Sequence, residues 1–223
     1  MKNKIIITIL LLLLGTTLYA QYERESSWIV RINGNLSYLT DKAKQDLRTS
    51  LKTTENAKGY GVELGYKGFL TSKSGLFIEG SANIFWSKLP YNELFYATVD
   101  PSIPMPTASR VFWLCEDCKE SGIGIKTVVG YDLRLFSKLS VEFFIGPEFR
   151  CVLNFDPNEQ VEISKDLNRF YFRWHGGIGF NYWRFNLNAT FSTDIHNRGK
   201  TKYRPMYYRL NYVTVALGYR FGL

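Results

Sequence analysis

The chain has 223 residues, 45% of them hydrophobic and 22% charged, with a formal net charge of +8. That length suits one domain of ordinary size, and the composition excludes a disordered protein. Aromatic residues reach 16%, with 15 Tyr and 16 Phe, an excess that needs either a large core or a membrane interface.

The first element is an export signal. Lys2 and Lys4 form a basic start, Ile5 to Leu14 is an unbroken apolar run, and Gly15 to Ala20 is a region of smaller residues. This predicts a secretory signal peptide over 1–20 with cleavage after Ala20, although Leu18 departs from the small residue that a signal peptidase prefers. The absence of a Cys after the cut argues against a lipoprotein anchor, and loss of the two lysines takes the charge to +6. Residues 21–223 are then a single domain, with no later apolar run long enough for a spanning helix.

From there the pattern has period two, the signature of strands with unlike faces. Residues 28–38 place Trp28, Val30, Ile32, Gly34, Leu36 and Tyr38 on one face and Arg31, Asn33, Asn35 and Ser37 on the other, with Ile29 as the exception. In 60–70, Tyr60, Val62, Leu64, Tyr66 and Leu70 oppose Gly61, Glu63, Gly65, Lys67 and Phe69. After the turn Ser72-Lys73-Ser74-Gly75, Leu76, Ile78, Ala82, Ile84 and Trp86 oppose Glu79, Ser81 and Asn83. Ile123, Ile125, Val129, Tyr131 and Leu133 then oppose Lys126 and Asp132, and Val141, Phe143, Ile145 and Phe149 oppose Glu142, Glu148 and Arg150. Phe170, Phe172, Trp174, Ile178 and Phe180 face away from Arg173 and His175, and Phe185, Leu187, Ala189 and Phe191 from Asn186, Asn188, Thr190 and Ser192. The last strand sets Val213, Val215, Leu217, Tyr219, Phe221 and Leu223 against Arg220.

About eight strands of bilayer-spanning length result, an even number. Their apolar phase carries no charge, whereas the opposite phase carries Arg31, Glu63, Lys67, Glu79, Lys126, Asp132, Glu142, Glu148, Arg150, Arg173, Asp194 and Arg220. A charge facing lipid at mid-depth costs roughly 2–4 kcal/mol, and an open sheet edge in lipid would leave backbone groups unpaired. The expected fold is therefore all-β: a closed, antiparallel, up-and-down transmembrane barrel. Connections at 71–75, 134–139 and 181–184 are tight and those at 39–58, 87–121, 152–169 and 195–209 long, which predicts periplasmic turns, extracellular loops and periplasmic chain ends. Trp28, Tyr131, Phe136, Tyr182, Trp183, Tyr219 and Phe221 fall where an aromatic girdle would lie. Pro147 removes a ladder hydrogen bond and predicts a bulge at Gly146-Pro147. Were that segment a soluble edge strand, a lipocalin-like barrel with its oily face inward would be the rival fold.

The alternation across 27–223, the export signal and the terminal Leu217-Gly218-Tyr219-Arg220-Phe221 together resemble the small outer-membrane β-barrel superfamily of Gram-negative bacteria, and more loosely the OmpA-like and PorT-like barrels of Bacteroidetes. The resemblance implies an outer-membrane location and a last strand, with Gly218, Tyr219 and Phe221, that the barrel-assembly machinery recognises. The chain departs from many members by ending Gly222-Leu223 instead of on Phe. Members of that superfamily include anchors, adhesins, small pores, secretion parts and a few lipid enzymes.

For function, eight strands enclose a space that side chains can fill, and the six bases and six acids of the inward phase predict an ion-pair plug. Inward glycines (Gly61, Gly65, Gly124, Gly130, Gly146, Gly177, Gly179) could make room for long side chains or leave a narrow water file, so a small passive channel is the alternative. The third reading is an outer-membrane hydrolase: Asp194 and His196, two apart on one strand, could share a face with Ser192 as nucleophile. A polar strand end is the simpler account, and His175 reads as a member of the lumen network. Neither catalysis, a metal nor a cofactor is expected. Cys115 and Cys118 could close a loop disulfide, with free or redox-active thiols as the alternative, while Cys151 has no evident partner and falls toward lipid or the rim. Within the 87–121 connection, the pieces Leu94–Val99 and Arg110–Leu114 could extend neighbouring strands or add a pair, giving ten, and Phe95, Tyr96, Phe112 and Trp113 suit protein contact. Expected partners are outer-membrane lipid, lipopolysaccharide touched by the basic 41–58 loop, and an envelope or secretion protein. Nucleic acid is excluded, because the basic surplus is spread out and the compartment is wrong.

Overall fold

The computed structural model describes residues 24–39, 56–71, 74–89, 92–97, 109–114, 119–156, 168–196, 198 and 209–222. Ten strands are present in these residues: β1 Ser27–Leu39, β2 Ala57–Phe69, β3 Leu76–Lys88, β4 Asn92–Ala97, β5 Ser109–Leu114, β6 Lys119–Phe136, β7 Leu139–Asp156, β8 Phe170–Tyr182, β9 Phe185–Asp194 and β10 Leu210–Gly222. Eight form a closed barrel in the order β1-β2-β3-β6-β7-β8-β9-β10, and β10 returns to β1. The expectation of about eight strands holds. The two extra apolar pieces do not enter the barrel: β4 and β5 pair with each other as a separate hairpin sheet. The signal peptide and the Cys115/Cys118 pair lie outside the described residues.

Closure is made by thirteen register pairs from Ser27↔Gly222 to Leu39↔Leu210. No edge remains in the barrel, so the backbone ladder is satisfied by neighbouring strands all round. The strands are staggered as a closed barrel requires. β6 runs past the start of β3, which pairs Leu76 with Tyr131, and β7 runs past the end of its β8 ladder at Cys151↔Phe170. At one end the connections are short, including Ser137-Lys138 and Trp183-Arg184; at the other they are long. Trp183 adopts a left-handed φ of 54° in its turn, its N–H donates to the Lys138 carbonyl, and the Arg184 carbonyl accepts from Arg220 N–H. Arg184 also donates to the Tyr219 hydroxyl, which raises the guanidinium pKa.

Burial is inverted relative to a water-soluble barrel, as the alternation required. Ile32, Ile125 and Ile145 are 60%, 61% and 63% exposed on the outside, while Lys67, Glu142 and Arg173 are at most 1% exposed in the lumen. This is a transmembrane barrel, and the lipocalin-like rival fails because its oily face would have to turn inward. Aromatic pairs bound the apolar band: Trp28–Tyr66 and Phe185–Tyr219 toward the short-turn end, Tyr60–Trp86 and Phe149–Phe170 toward the long-loop end. Ile29, the exception to the alternation, points inward and is fully buried.

The expected bulge at Pro147 is not formed. Pro147 keeps register with β8 opposite Trp174. Toward β6 the ladder is interrupted at Thr127 and Val128, yet the register is the same on both sides of the gap, Lys126↔Glu148 and Val129↔Ile145. The missing proline N–H is thus accommodated by a local gap. A true shift occurs higher up, where Gly122 pairs with Val152 but Ser121 with Asn154. Beyond it Phe155 packs inward against Phe85, Val152 and Tyr171, and Asn154 and Asp156 are exposed.

Lumen glycines make room for rings on neighbouring strands. A Cβ on Gly177 would lie 2.8 Å from Phe144 Cζ and 2.5 Å from the Ala189 carbonyl oxygen, whereas one on outward Gly80 would meet nothing within 4 Å. Gly177→Ala should therefore cost about 1–3 kcal/mol through overpacking, and Gly80→Ala should stay within about 0.5 kcal/mol of the parent. Urea unfolding in lipid vesicles, followed by tryptophan fluorescence, checks the contrast.

Candidate functional site

The barrel wall collects the charged inward residues into two tiers. In the tier nearer the short turns, Arg31 of β1 is the hub. Its Nη1 donates to Glu63 Oε1 at 2.6 Å and to Glu79 Oε1, its Nη2 to Glu79 Oε2 at 2.9 Å, and its Nε to Asn186 Oδ1 at 2.9 Å. Lys126 Nζ clamps both oxygens of Glu63 at 2.7 and 2.8 Å. Below, Glu142 accepts from Lys67 at 2.5 Å, from Asn181 at 3.0 Å and from Arg220 at 3.1 Å through Oε2, and from Asn186 at 3.2 Å through Oε1. Lys67 also lies 3.5 Å from Asp132 and sits 3.6 Å over the Phe77 ring. Arg24, just before β1, donates to the Asp132 carbonyl at 2.7 Å. Burial lowers its guanidinium pKa, and the Asp132 carboxylate acts in the opposite sense.

The second tier lies toward the long loops. Arg150 donates to Glu148 at 2.8 Å, Asn83 reaches the same oxygen at 2.9 Å, and Arg173 stands 3.7 Å from both Glu148 and Asp194. Above it, Arg198 bonds Glu120 at 2.5 Å, and Glu120 also accepts from Ser87 and Tyr171. Three guanidinium groups lie over rings: Arg173 at 3.7 Å over Tyr212, Arg198 at 4.0 Å over Tyr171 and Arg150 at 4.3 Å over Phe85. Such contacts suit a desolvated cation, because the ring face is negative. Burial works against the charge of Arg198, but Glu120, Tyr171 and Tyr212 outweigh it and hold this guanidinium well above its ordinary pKa.

All the lumen residues expected from the sequence are placed in this wall: Arg31, Glu63, Lys67, Glu79, Lys126, Asp132 and Arg220 in the first tier with Glu142, and Glu148, Arg150 and Arg173 in the second. Arg24, which precedes the first strand, and Glu120 and Arg198, which fall in connections that read as loops, are not singled out by the alternation. Tyr171 and Tyr212 are not among the expected lumen residues either, although the alternation places them inward between Phe170 and Phe172 and before Val213. Gly218, Tyr219 and Phe221 stand where expected. Gly218 faces Arg31 across the seam, and the two rings point outward near the short-turn end.

Two expectations need correction. Asp194 and His196 do not share a face, because β9 ends at Asp194. Asp194 is buried and accepts from Leu210 N–H, while His196 is exposed, edge-on to outward Phe172 at 6.3 Å. Ser192 faces His175 across β8–β9 instead, so the proposed grouping of Ser192, Asp194 and His196 is not assembled. His175 is also not a bonded member of the network: it is buried and neither ring nitrogen has a protein partner. Cys151 is unpaired, half-buried and on the outward phase of β7.

No family model and no curated protein matches the chain. Among solved structures it is similar to the outer membrane protein OprG from Pseudomonas aeruginosa, with 10% identity, 91% of this chain and 99% of that one covered and a TM-score of 0.48. It is similar to the outer membrane enzyme PagL at 7% identity, with coverages of 85% and 98% and a TM-score of 0.47. Neisserial surface protein A is similar at 12% identity, with coverages of 89% and 100% and a TM-score of 0.42.

Proposed function

We infer that this chain is an integral outer-membrane barrel of a Gram-negative bacterium, exported by the signal at 1–20. Its lumen is closed by ion pairs, it performs no catalysis, and it acts through its long loops as an envelope or partner-binding component. The observation that carries the closed lumen is the Arg31 hub, which ties β1 to β2, β3 and β9 across the barrel interior. The short turns then lie in the periplasm and the long loops outside, and β10, with Gly218, Tyr219 and Phe221, is the strand read by the assembly machinery. Partner contact falls to the 91–120 segment, which includes β4 and β5.

In-cell crosslinking of the tagged barrel at native abundance tests this role. A stoichiometric envelope or secretion partner is expected, and it should be lost when residues 91–120 are deleted. Recovery of the same partner from the deletion variant would refute the assignment of contact to that segment. The second reading, a narrow passive channel, draws on His175, Ser81 and Asn83, whose buried polar atoms include some with no protein partner. Planar-bilayer recording separates the two: the plugged barrel gives no discrete conductance steps, and steady single-channel steps would establish the channel.

A further inference from the structure

The barrel mouth at the short-turn end forms a charged cup. A cavity of about 170 Å³ opens there, bordered by the residue pair before β1, the β6–β7 and β8–β9 turns and the end of β10. Its cations are Arg24, Arg134, Lys138 and Arg220, and its acids are Glu25 and Asp132. Lys67 and Glu142, which bond each other in the lumen beneath, leave that surplus of positive charge unchanged. Asp132 is itself shared, since Lys67 lies 3.5 Å away and Ser140 donates to it at 3.1 Å.

Two guanidinium groups keep their protein pairs and still have a donor unspent. Arg24 uses Nη1 on the Asp132 carbonyl at 2.7 Å, with the carboxylate 4.0 Å away. Arg220 uses Nη2 on Glu142 at 3.1 Å and on Asn181 at 2.6 Å. In each the Nε is buried and bonds no protein atom. Arg24 is only 8% exposed, and burial lowers its pKa in spite of Asp132. A further negative charge beside it is therefore stabilising.

The cup also has an apolar wall, and that wall is strained. Trp183 lines it from the β8–β9 turn with a φ of 54°, a conformation that glycine adopts freely and a bulky residue rarely. The two-residue hairpin demands this φ; nothing in the turn demands an indole, which is 60% exposed. Strain of this kind concentrates at functional sites. Phe69, 5.7 Å beneath the Arg24 guanidinium, adds a second ring, and Ser140 and Asn181 add polar atoms.

Size and chemistry narrow the occupant. At roughly 30 Å³ per water the cavity holds about five or six waters, which suits the end of a chain and not a folded partner. Guanidinium forks match the two oxygens of a carboxylate. The indole suits a side chain, and Ser140 and Asn181 suit a peptide group, whereas a bare inorganic anion would use the cations alone. We propose that this cup captures the C-terminal carboxylate of a periplasmic peptide, with Arg24, Arg220 and Lys138 taking the carboxylate and Trp183 the last side chain. The proposal takes from the orientation inferred above only the compartment of the peptide, and it needs neither the closed lumen nor the loop partner.

The full barrel in phosphatidylcholine nanodiscs, where both mouths meet solvent, is titrated calorimetrically with acetyl-Gly-Gly-Leu, with the C-terminal amide of that peptide and with sodium acetate. The free acid should bind at least about tenfold more tightly than the amide, the size of one lost charge-assisted contact. Arg24→Gln and Lys138→Gln should each remove most of that preference. Lys58→Gln, exposed at the long-loop end, should remove none. Trp183→Gly separates recognition from folding: with the left-handed residue relieved, the urea midpoint should stay level or rise while affinity for the acid falls several-fold. Should Arg24→Gln lack the heat-dependent gel mobility of a folded barrel, Lys138→Gln and Trp183→Gly decide, since both residues are exposed in turns. Equal affinity for acid and amide overturns the site. So does an equal loss in Lys58→Gln, which means general charge attraction. Unchanged affinity in Trp183→Gly removes the side-chain wall and with it the peptide assignment, and complete competition by equimolar acetate overturns that assignment in favour of a small-anion site.

Discussion

Arg31→Met is expected to destabilise the folded barrel by about 3–5 kcal/mol, the cost of breaking a buried ion pair from one side. The change would strip Glu63 and Glu79 of a shared guanidinium and Asn186 of its donor while all three remain buried. Glu63 keeps Lys126, so Glu79 should bear most of the loss. This yields an internal check: adding Glu79→Gln to Arg31→Met should recover part of the lost stability, because an uncompensated carboxylate is worse than a neutral amide. Arg31→Lys should fall between the two, since an ammonium cannot reproduce the two-pronged contact with Glu79. Urea midpoints in vesicles measure all three. A midpoint for Arg31→Met indistinguishable from the parent would mean that the hub is solvated and the lumen open.

Ile125→Arg is the second change with a large expected effect, about 2–4 kcal/mol, the depth-dependent cost of placing arginine on the lipid face near mid-bilayer. Ile125 is 61% exposed on the outward face of β6, between lumen-facing Gly124 and Lys126. Exposure in a water-soluble protein would make the same change nearly neutral, within about 0.5 kcal/mol. The size of the effect therefore reports which solvent this face meets. Folding yield into vesicles and the urea midpoint should both fall for Ile125→Arg and change little for Ile125→Leu; equal behaviour of the two variants would contradict a lipid-facing surface.

Much of this architecture is legible in the sequence because a barrel in lipid enforces period two strictly. Charge on the wrong face costs several kcal/mol, so Arg31, Glu63, Lys67 and Glu142 could be turned inward from alternation alone. Which carboxylate meets which base could not be read, since pairing depends on register and stagger around a closed wall. Nothing in the spacing of Arg31 and Glu79 shows that they meet. Strand ends were harder still. Asp194 and His196 read as neighbours on one face only if the alternation runs two residues past the end of β9. Glu120 and Arg198 fall in connections that read as loops, yet they close the upper tier. The shift in β7 past Val152 exchanged the faces of Phe155 and Asp156, and a two-residue repeat carries no signal for that exchange. Pro147 misled in the other direction: a gap of two ladder positions in β6–β7 absorbed what a bulge was expected to absorb.

The hub's position along the chain bears on the order in which the wall can be assembled. Arg31 meets Glu63 across 32 residues and Glu79 across 48, so its strongest partners arrive with the first two hairpin strands. The seam, by contrast, must bring Arg31 opposite Gly218. By the logarithmic cost of loop closure, that is about 1.6 kcal/mol more demanding than the Glu63 contact. The N-terminal three-stranded unit can thus neutralise its central charge before the barrel is complete, and it presents β1 as a preorganised template to the last strand synthesised. Lys67, whose partners Glu142 and Asp132 lie 75 and 65 residues on, must await β6 and β7.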